Sequence, residues 1–175
     1  MKSHSMIVLD AIWSNETYQV QYQRLLKAEE QRLFCCHDIT HLLDTARIAY
    51  IMNLEQNLGF RKDVIYATAI MHDIGKAEQY ESGAPHEIVG AELADEILAQ
   101  INGERTANGL EPYFTANEVQ AICRAIREHR RCPEGSSILG QLLYRADKAS
   151  RPCFACDQRD GCSWSDEKKN LTIKQ

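Results

Sequence analysis

Apolar residues recur every three or four positions along nearly the whole chain, the spacing that gathers them on one face of a helix. From His41 a stripe of small and apolar residues runs through Thr45, Ile48, Ala49 and Met52, with Gly59 as a stop. Residues 62–75 read as one mostly apolar, buried helix ending near Gly75. Pro85 suits a first turn. After it come His86, Val89, Gly90, Leu93, Ala94, Ile97, Leu98 and Ile101, before a polar loop marked by Gly103 and Gly109. Thr115 and Glu118 have the spacing of a capping box, and Val119, Ile122, Ile126 and His129 follow on one face. Pro133 and Gly135 break the chain, and Leu139, Leu143 and Asp147 lie four apart on a last helix. Residues 16–34 are rich in Gln, Glu, Lys, Arg and Leu, good helix formers. No stretch sustains the alternation of a strand, so the expected class is all-α.

A chain of 175 residues can bury a sizeable core as one domain with an appendage. With 20 basic and 25 acidic side chains the net charge is −5, which argues against sequence-independent binding of nucleic acid duplexes. The longest mostly apolar run, Val64 to Met71, is too short for a membrane span, so no membrane partner is expected. The start lacks the h-region of a secretory signal, and leaves open whether residues 1–5 are native or Met6 is the natural start. An odd count of seven Cys without a signal fits a reduced cytoplasmic setting, where clustered thiols are ligands or redox groups before they are disulfides.

Six His are present, and apart from His4 they sit in unusual places. His41, His86 and His129 fall on or at the end of apolar stripes. His72 lies inside an apolar segment beside Asp73, and Asp147 continues an apolar stripe. Burying a carboxylate on an apolar face is costly unless it is paired or holds a metal. Taken singly, His86 is as easily a core residue bonded to a carbonyl, Asp147 an ion-pair partner of Arg145 or Lys148, and His37 a supporting or surface group. Together, inward His and Asp on separate helices point to a shared cation site, of a kind suited to Mn, Fe, Co, Ni or Zn rather than Ca.

His41 with Thr45-Ala46-Arg47-Ile48-Ala49, then Met71-His72-Asp73-Ile74-Gly75-Lys76, then Tyr144-Arg145-Ala146-Asp147-Lys148, resembles the HD superfamily of metal-dependent phosphohydrolases. The resemblance spans roughly residues 37–151. It implies an all-helical HD core in which His41, His72, Asp73 and Asp147 hold metal. Some branches of that superfamily place two more His between the His-Asp pair and the last Asp and hold two metals. His86 and His129 look like those two, which is similar to the small bacterial dinucleoside tetraphosphate hydrolases and their two-iron centre. On this reading residues 1–36 form an N-terminal helical segment, 37–151 the core, and 152–175 a Cys-rich extension beginning where the composition shifts after Arg151.

Asp73 would then offer one oxygen to each of two cations, and a hydroxide held between them would attack a phosphoryl group. The expected cofactor is one or two divalent transition ions, iron or manganese favoured, with zinc, cobalt or nickel open. Growing negative charge needs cationic partners. Lys76 is expected one turn beyond His72 if that helix continues, its alternative being a cap on that helix's C-terminal end. Arg130, Arg131, Lys148 and Arg151 also flank expected ligands, and Arg130 and Lys148 join Lys76 as phosphate contacts. Cys153, Cys156 and Cys162 form C-x-x-C-x5-C. A structural zinc needs a fourth ligand, for which Cys132 leads and Cys35 or Cys36 follows. An iron–sulfur cluster is the other metal option, and reduced packing thiols the plain one. The expected activity is metal-dependent hydrolysis of a nucleotide or other small phosphate ester. The alternatives are a dinucleoside polyphosphate hydrolase or phosphodiesterase, a non-catalytic metal-binding regulatory module, and a thiol redox protein centred on Cys153 and Cys156. A homodimer is left open.

Overall fold

A computed structural model describes residues 4–173, with side chains from residue 7 onward. Most of the question about residues 1–5, and the last two residues of the extension, lie outside them. Eight helices follow in order: α1 (His4–Ser14), α2 (Glu16–Glu29), α3 (Ile39–Glu55), α4 (Lys62–Met71), α5 (Lys76–Ser82), α6 (His86–Ala107), α7 (Ala116–Glu128) and α8 (Ile138–Ala149). Two 3-10 turns, Cys153–Ala155 and Arg159–Gly161, follow in the extension. No strand occurs among the described residues, so the all-α expectation holds.

Helix α4 lies at the centre, because it is apolar on all sides. Val64, Ile65, Ala67, Ala69, Ile70 and Met71 are all buried, and α1, α3, α7 and α8 pack around it. The Tyr18 hydroxyl reaches through this core to donate to the Ile70 carbonyl at 2.9 Å. Helix α6 packs against α7, and α7 against α8. The capping box at Thr115 and Glu118 forms as expected.

The structure redraws several expected boundaries. Helix α2 stops at Glu29, and residues 30–38 form a loop that brings Cys35 and His37 back toward α3. The expected helix over 62–75 ends at Met71, and a turn through His72–Gly75 leads into the separate α5. Helix α6 runs through Gly103 rather than stopping there. Gly109, at φ 72°, makes the turn beyond it, with Leu110 N–H donating to the Arg105 carbonyl. Beyond α3, Asn57 already takes up the left-handed conformation ahead of Gly59. Asparagine tolerates that region better than most residues, so the stop comes two residues early.

Candidate metal centre

Four of the inward groups stand at helix ends. His41 is in the first turn of α3, where Asp38 caps its N–H at 3.1 Å. His72 closes α4 and His129 closes α7. His86 opens α6, Asp73 sits in the turn after α4, and Asp147 lies near the end of α8. None of the six is more than 6 % exposed. Their ligand atoms form two sets, His41–His72–Asp73–Asp147 and Asp73–His86–His129, each within 4.8 Å.

Asp73 belongs to both sets with a different oxygen in each. Its Oδ2 lies 2.9 Å from His72 Nε2 and 3.6 Å from His41 Nε2. Its Oδ1 lies 3.5 Å from His86 Nε2 and 3.6 Å from His129 Nε2. Asp147 Oδ1 completes the first set at 3.4 Å from His41 Nε2 and 3.8 Å from His72 Nε2.

The far side of each imidazole fixes its tautomer. His72 Nδ1 lies 2.6 Å from the Ala69 carbonyl, and His129 Nδ1 lies 2.6 Å from the Ile126 carbonyl. A carbonyl only accepts, so both protons sit on Nδ1 and both Nε2 lone pairs face the cluster. His86 Nδ1 is 2.5 Å from Gln79 Oε1. His41 Nδ1 is 3.0 Å from Ser150 Oγ, whose own proton goes to the Asp147 carbonyl at 2.8 Å. Consequently His86 and His129 present two lone pairs to each other at 3.2 Å, and His72 Nε2 is buried without a hydrogen-bond partner. Lone pairs and carboxylates converging on a buried site repel one another unless a cation lies among them. Outward N–H groups anchored to backbone or side-chain oxygens are the usual way metal-ligating imidazoles are oriented. The donor set therefore fits divalent metal.

The charge balance agrees. Burial lowers the pKa of His72, but Asp73 and Asp147 outweigh it and hold it at about 9, so that without a cation the two carboxylates draw a proton onto Nε2, the position a divalent ion would take in its place. Burial works against ionised Asp73, yet His72 and His37 keep its carboxyl well below the usual range. Burial pushes His86 down to about 2, leaving the neutral imidazole that metal binding requires.

His37 is not a surface group: it is buried, with Nε2 3.7 Å from Asp73 Oδ2 and Nδ1 2.5 Å from Glu29 Oε1. Glu29 is held further by Tyr80 Oη at 2.7 Å, and His37 lowers its pKa against the effect of burial. Sequence reasoning missed Glu29, although it extends the buried stripe of Tyr18, Tyr22 and Leu25 along α2. It also missed Gln79, Ser150, Trp164 and Lys168.

A cavity of about 290 Å³ opens over Asp73, His86, His129 and Asp147. Lys76, Arg130, Lys148, Arg151 and Lys168 line it, with Tyr144 and Trp164. Lys76 is there by a different route from the one expected. It opens α5 after the turn, with its N–H donating to the Asp73 carbonyl at 2.9 Å, so it is not a C-terminal cap. Burial lowers its pKa, and Asp73 and Asp147 partly offset this. Arg130 also pairs with Glu87 at 3.2 Å, Lys148 pairs with Asp147, and Arg151 Nη2 lies 2.9 Å from His41 Nε2. Arg131 is exposed and does not line the cavity. Arg145 bonds Gln56 at 2.8 Å instead of Asp147.

The cysteines are arranged differently from the first expectation. Cys35, Cys153, Cys156 and Cys162 border two cavities that share Cys35, Arg151 and Cys153. Cys132 instead follows the end of α7, its N–H donating to the Glu128 carbonyl at 2.8 Å, and lines neither cavity that the other thiols border. The turn after His129, with Cys132 at φ 45°, keeps it there.

The model of the HD domain family matches residues 38–151, and the chain belongs to that family. It is 45% identical over 160 residues to an uncharacterized protein of Clostridium beijerinckii, covering 91% of this chain and 94% of that one. It is 30% identical over 116 residues to ribonuclease Y of Acetivibrio thermocellus, covering 65% of this chain but only 18% of that much longer protein. The fold matches the crystal structure of a predicted HD superfamily hydrolase from an uncultured Thermotogales bacterium. The TM-score is 0.58 at 19% identity, over 87% of this chain and 81% of the other. No helix is long and apolar enough to cross a membrane among the described residues.

Proposed function

We propose that this HD protein is a metal-dependent phosphohydrolase acting on a nucleotide or other small phosphate ester at a two-ion centre. The observation that carries this reading is the division of Asp73, one oxygen toward His41 and His72, the other toward His86 and His129. Divalent ions held by these two sets would supply Lewis acidity toward phosphoryl oxygen and lower the pKa of water.

The chain's own residues supply the rest. Ala69, Ile126, Gln79 and Ser150 orient the imidazoles, so ligands need not reorganise on binding. Lys76 and Arg130 stand at the cavity wall where charge grows on the phosphoryl oxygens. Glu29 holds His37 with its proton on Nδ1 and Nε2 toward Asp73, a place from which it can accept a proton from water. Tyr144 and Trp164 give the same cavity flat apolar surface, which favours a nucleoside over a bare sugar phosphate. The similarity to ribonuclease Y supports a second reading, cleavage of a phosphodiester in a small or single-stranded substrate. The net charge of −5 disfavours a duplex.

The test is a hydrolysis panel on protein prepared without chelator, comparing nucleoside monophosphates, dinucleoside polyphosphates and short single-stranded oligonucleotides. Asp73→Ala should lose both the metal of this centre and turnover while keeping its helical circular dichroism. Full metal content in that variant would remove the basis of the assignment, and a metal-loaded parent inert on the whole panel would favour the regulatory module.

A further inference from the structure

The extension after α8 carries three cysteines, and the loop before α3 carries two more. Cys153 begins a 3-10 turn closed by the Cys156 N–H on the Cys153 carbonyl, at 3.3 Å. That turn carries two thiols on one tight loop, as metal-binding C-x-x-C knuckles do. Cys162 follows the second 3-10 turn, closed in the same way on Arg159.

These thiols and Cys35 share one neighbourhood. Cys35, Cys153 and Cys156 border a cavity of about 510 Å³, and Cys35, Cys153 and Cys162 border a second of about 260 Å³. Cys35 lies within electrostatic reach of all three others, each of which raises its pKa. Cys36, its neighbour, also borders the larger cavity, but not the smaller one; the charges nearest it are those of Glu29, Arg32, Asp38 and Arg151, and its Sγ lies 3.6 Å from the Phe34 carbonyl.

Burial and the three neighbouring thiols push the Cys35 thiol up, and the Arg151 guanidinium works against them. Arg151 is 5 % exposed, lines both cavities, and donates through Nη1 to the Cys36 carbonyl at 2.6 Å. Its Nε–H is buried without a partner. An orphaned donor is costly beside thiols, which accept weakly, and is relieved beside a metal thiolate. Arg32 Nε fastens the same loop by donating to the Cys35 carbonyl at 2.9 Å. The four sulfurs do not lie within 4.8 Å of one another as the imidazole and carboxylate sets do. Side-chain rotation on short, exposed loops must bring them together.

We propose that Cys35, Cys153, Cys156 and Cys162 bind a single zinc ion as a tetrathiolate site that fastens the C-terminal segment to the loop before α3. Four thiolates with no open position define a structural zinc site, and zinc outcompetes iron and manganese for such ligands. The site's consequence reaches the catalytic cavity. The fastened loop carries His37 two residues beyond Cys35, and the fastened segment carries Trp164 and Lys168, which line the cavity with Lys76. The ion would thus hold one wall of the cavity in place from outside it, and this assignment does not depend on what the catalytic centre hydrolyses.

The test is elemental analysis of the full-length protein, with cobalt substitution as a spectroscopic probe. Cys35→Ser and Cys162→Ser should each remove about one equivalent of zinc and abolish the near-ultraviolet thiolate-to-cobalt absorption. Cys132→Ser and Cys36→Ser should leave both intact, and Asp73→Ala should keep the thiolate absorption while losing metal elsewhere. Residues 152–173 should become sensitive to limited proteolysis in the first two variants only. Should those variants not fold, zinc X-ray absorption on the unaltered chain must show a shell of four sulfurs at about 2.3 Å. Loss of the ion in Cys132→Ser, acid-labile sulfide in the purified protein, a disulfide among the four thiols, or a zinc site without sulfur would each overturn the proposal.

Discussion

Lys76 stands where a basic side chain is disfavoured twice over. It opens α5, where the helix dipole disfavours a cation, and it is half-buried with its pKa lowered by burial. A residue placed against both effects is held there by Asp73 and Asp147 and by what it can do in the cavity. Lys76→Ala should therefore keep its metal and lose no stability, since it removes an unfavourable charge. Turnover on phosphate substrates should fall by the equivalent of roughly 2–4 kcal/mol, if the ammonium meets growing charge in the transition state. Unchanged turnover at saturating substrate in metal-loaded protein would assign Lys76 to electrostatics alone.

At the scale of elements, the two ligand sets meet because α6 starts almost on top of the turn after α4. A Cβ on Gly75 would lie 2.4 Å from the His86 carbonyl and 2.6 Å from Gly90 N. Backbone cannot yield as a flexible side chain does, so Gly75→Ala should push the start of α6 away. The expected cost is about 1–3 kcal/mol, read as a lower thermal midpoint. Metal content should fall more steeply than helicity, because His86 rides on the displaced turn. A thermal midpoint equal to that of the parent would show that the crossing has more room than its distances imply. The same architecture bears on nuclearity. His86 and His129 stand on α6 and the end of α7, apart from the elements that carry His41, His72 and Asp147. Removing either should reduce the metal held apart from the thiols from about two equivalents toward one, since only Asp73 and one imidazole would remain of that set. Elemental analysis of His86→Ala and His129→Ala in a Cys35→Ser background, free of thiolate-bound zinc, that still finds two ions would separate those residues from the second ion.

Stability against alkali belongs to the whole molecule, because it depends on proton binding in the unfolded as well as the folded chain. Cys123 lies in the core on α7, 4.0 Å from Asp95, and burial followed by Asp95 raises its thiol to about 11 from an ordinary value of 9.0. Above about pH 9 the unfolded chain loses this proton while the folded chain keeps it. Stability should then fall as the pH rises, until the folded thiol titrates near 11 and the loss levels off. Two units correspond to roughly 2–3 kcal/mol at most. Denaturant titrations of Cys123→Ala from pH 8 to 11 should show a flatter decline than the parent, whatever the variant costs at neutral pH. Parallel declines would place the alkaline sensitivity elsewhere.

The groups that could hold metal were legible because each breaks a local rule: an imidazole or carboxylate stands where helical periodicity demands an apolar side chain. His41, His72, Asp73, His86, His129 and Asp147 are all noticeable in this way, and the structure brings all six together. The all-helical class was legible for the same reason, since periodicity is a property of neighbours in the chain. Other features depend on distances between segments far apart in sequence. Nothing local in residues 62–76 says that the helix ends at Met71, because every residue there is compatible with helix; packing of Gly75 against the start of α6 requires the turn. His37 reads equally as a supporting or a surface group until the loop after α2 folds it beneath Glu29 and toward Asp73. Cys132 is closer in sequence to the C-x-x-C pair than Cys35, yet the end of α7 holds it away, while the loop before α3 carries Cys35 to the extension. Periodic burial is written along the chain and can be read there, whereas the choice among chemically equivalent partners is made by which helix ends converge, and that is settled only when the core closes.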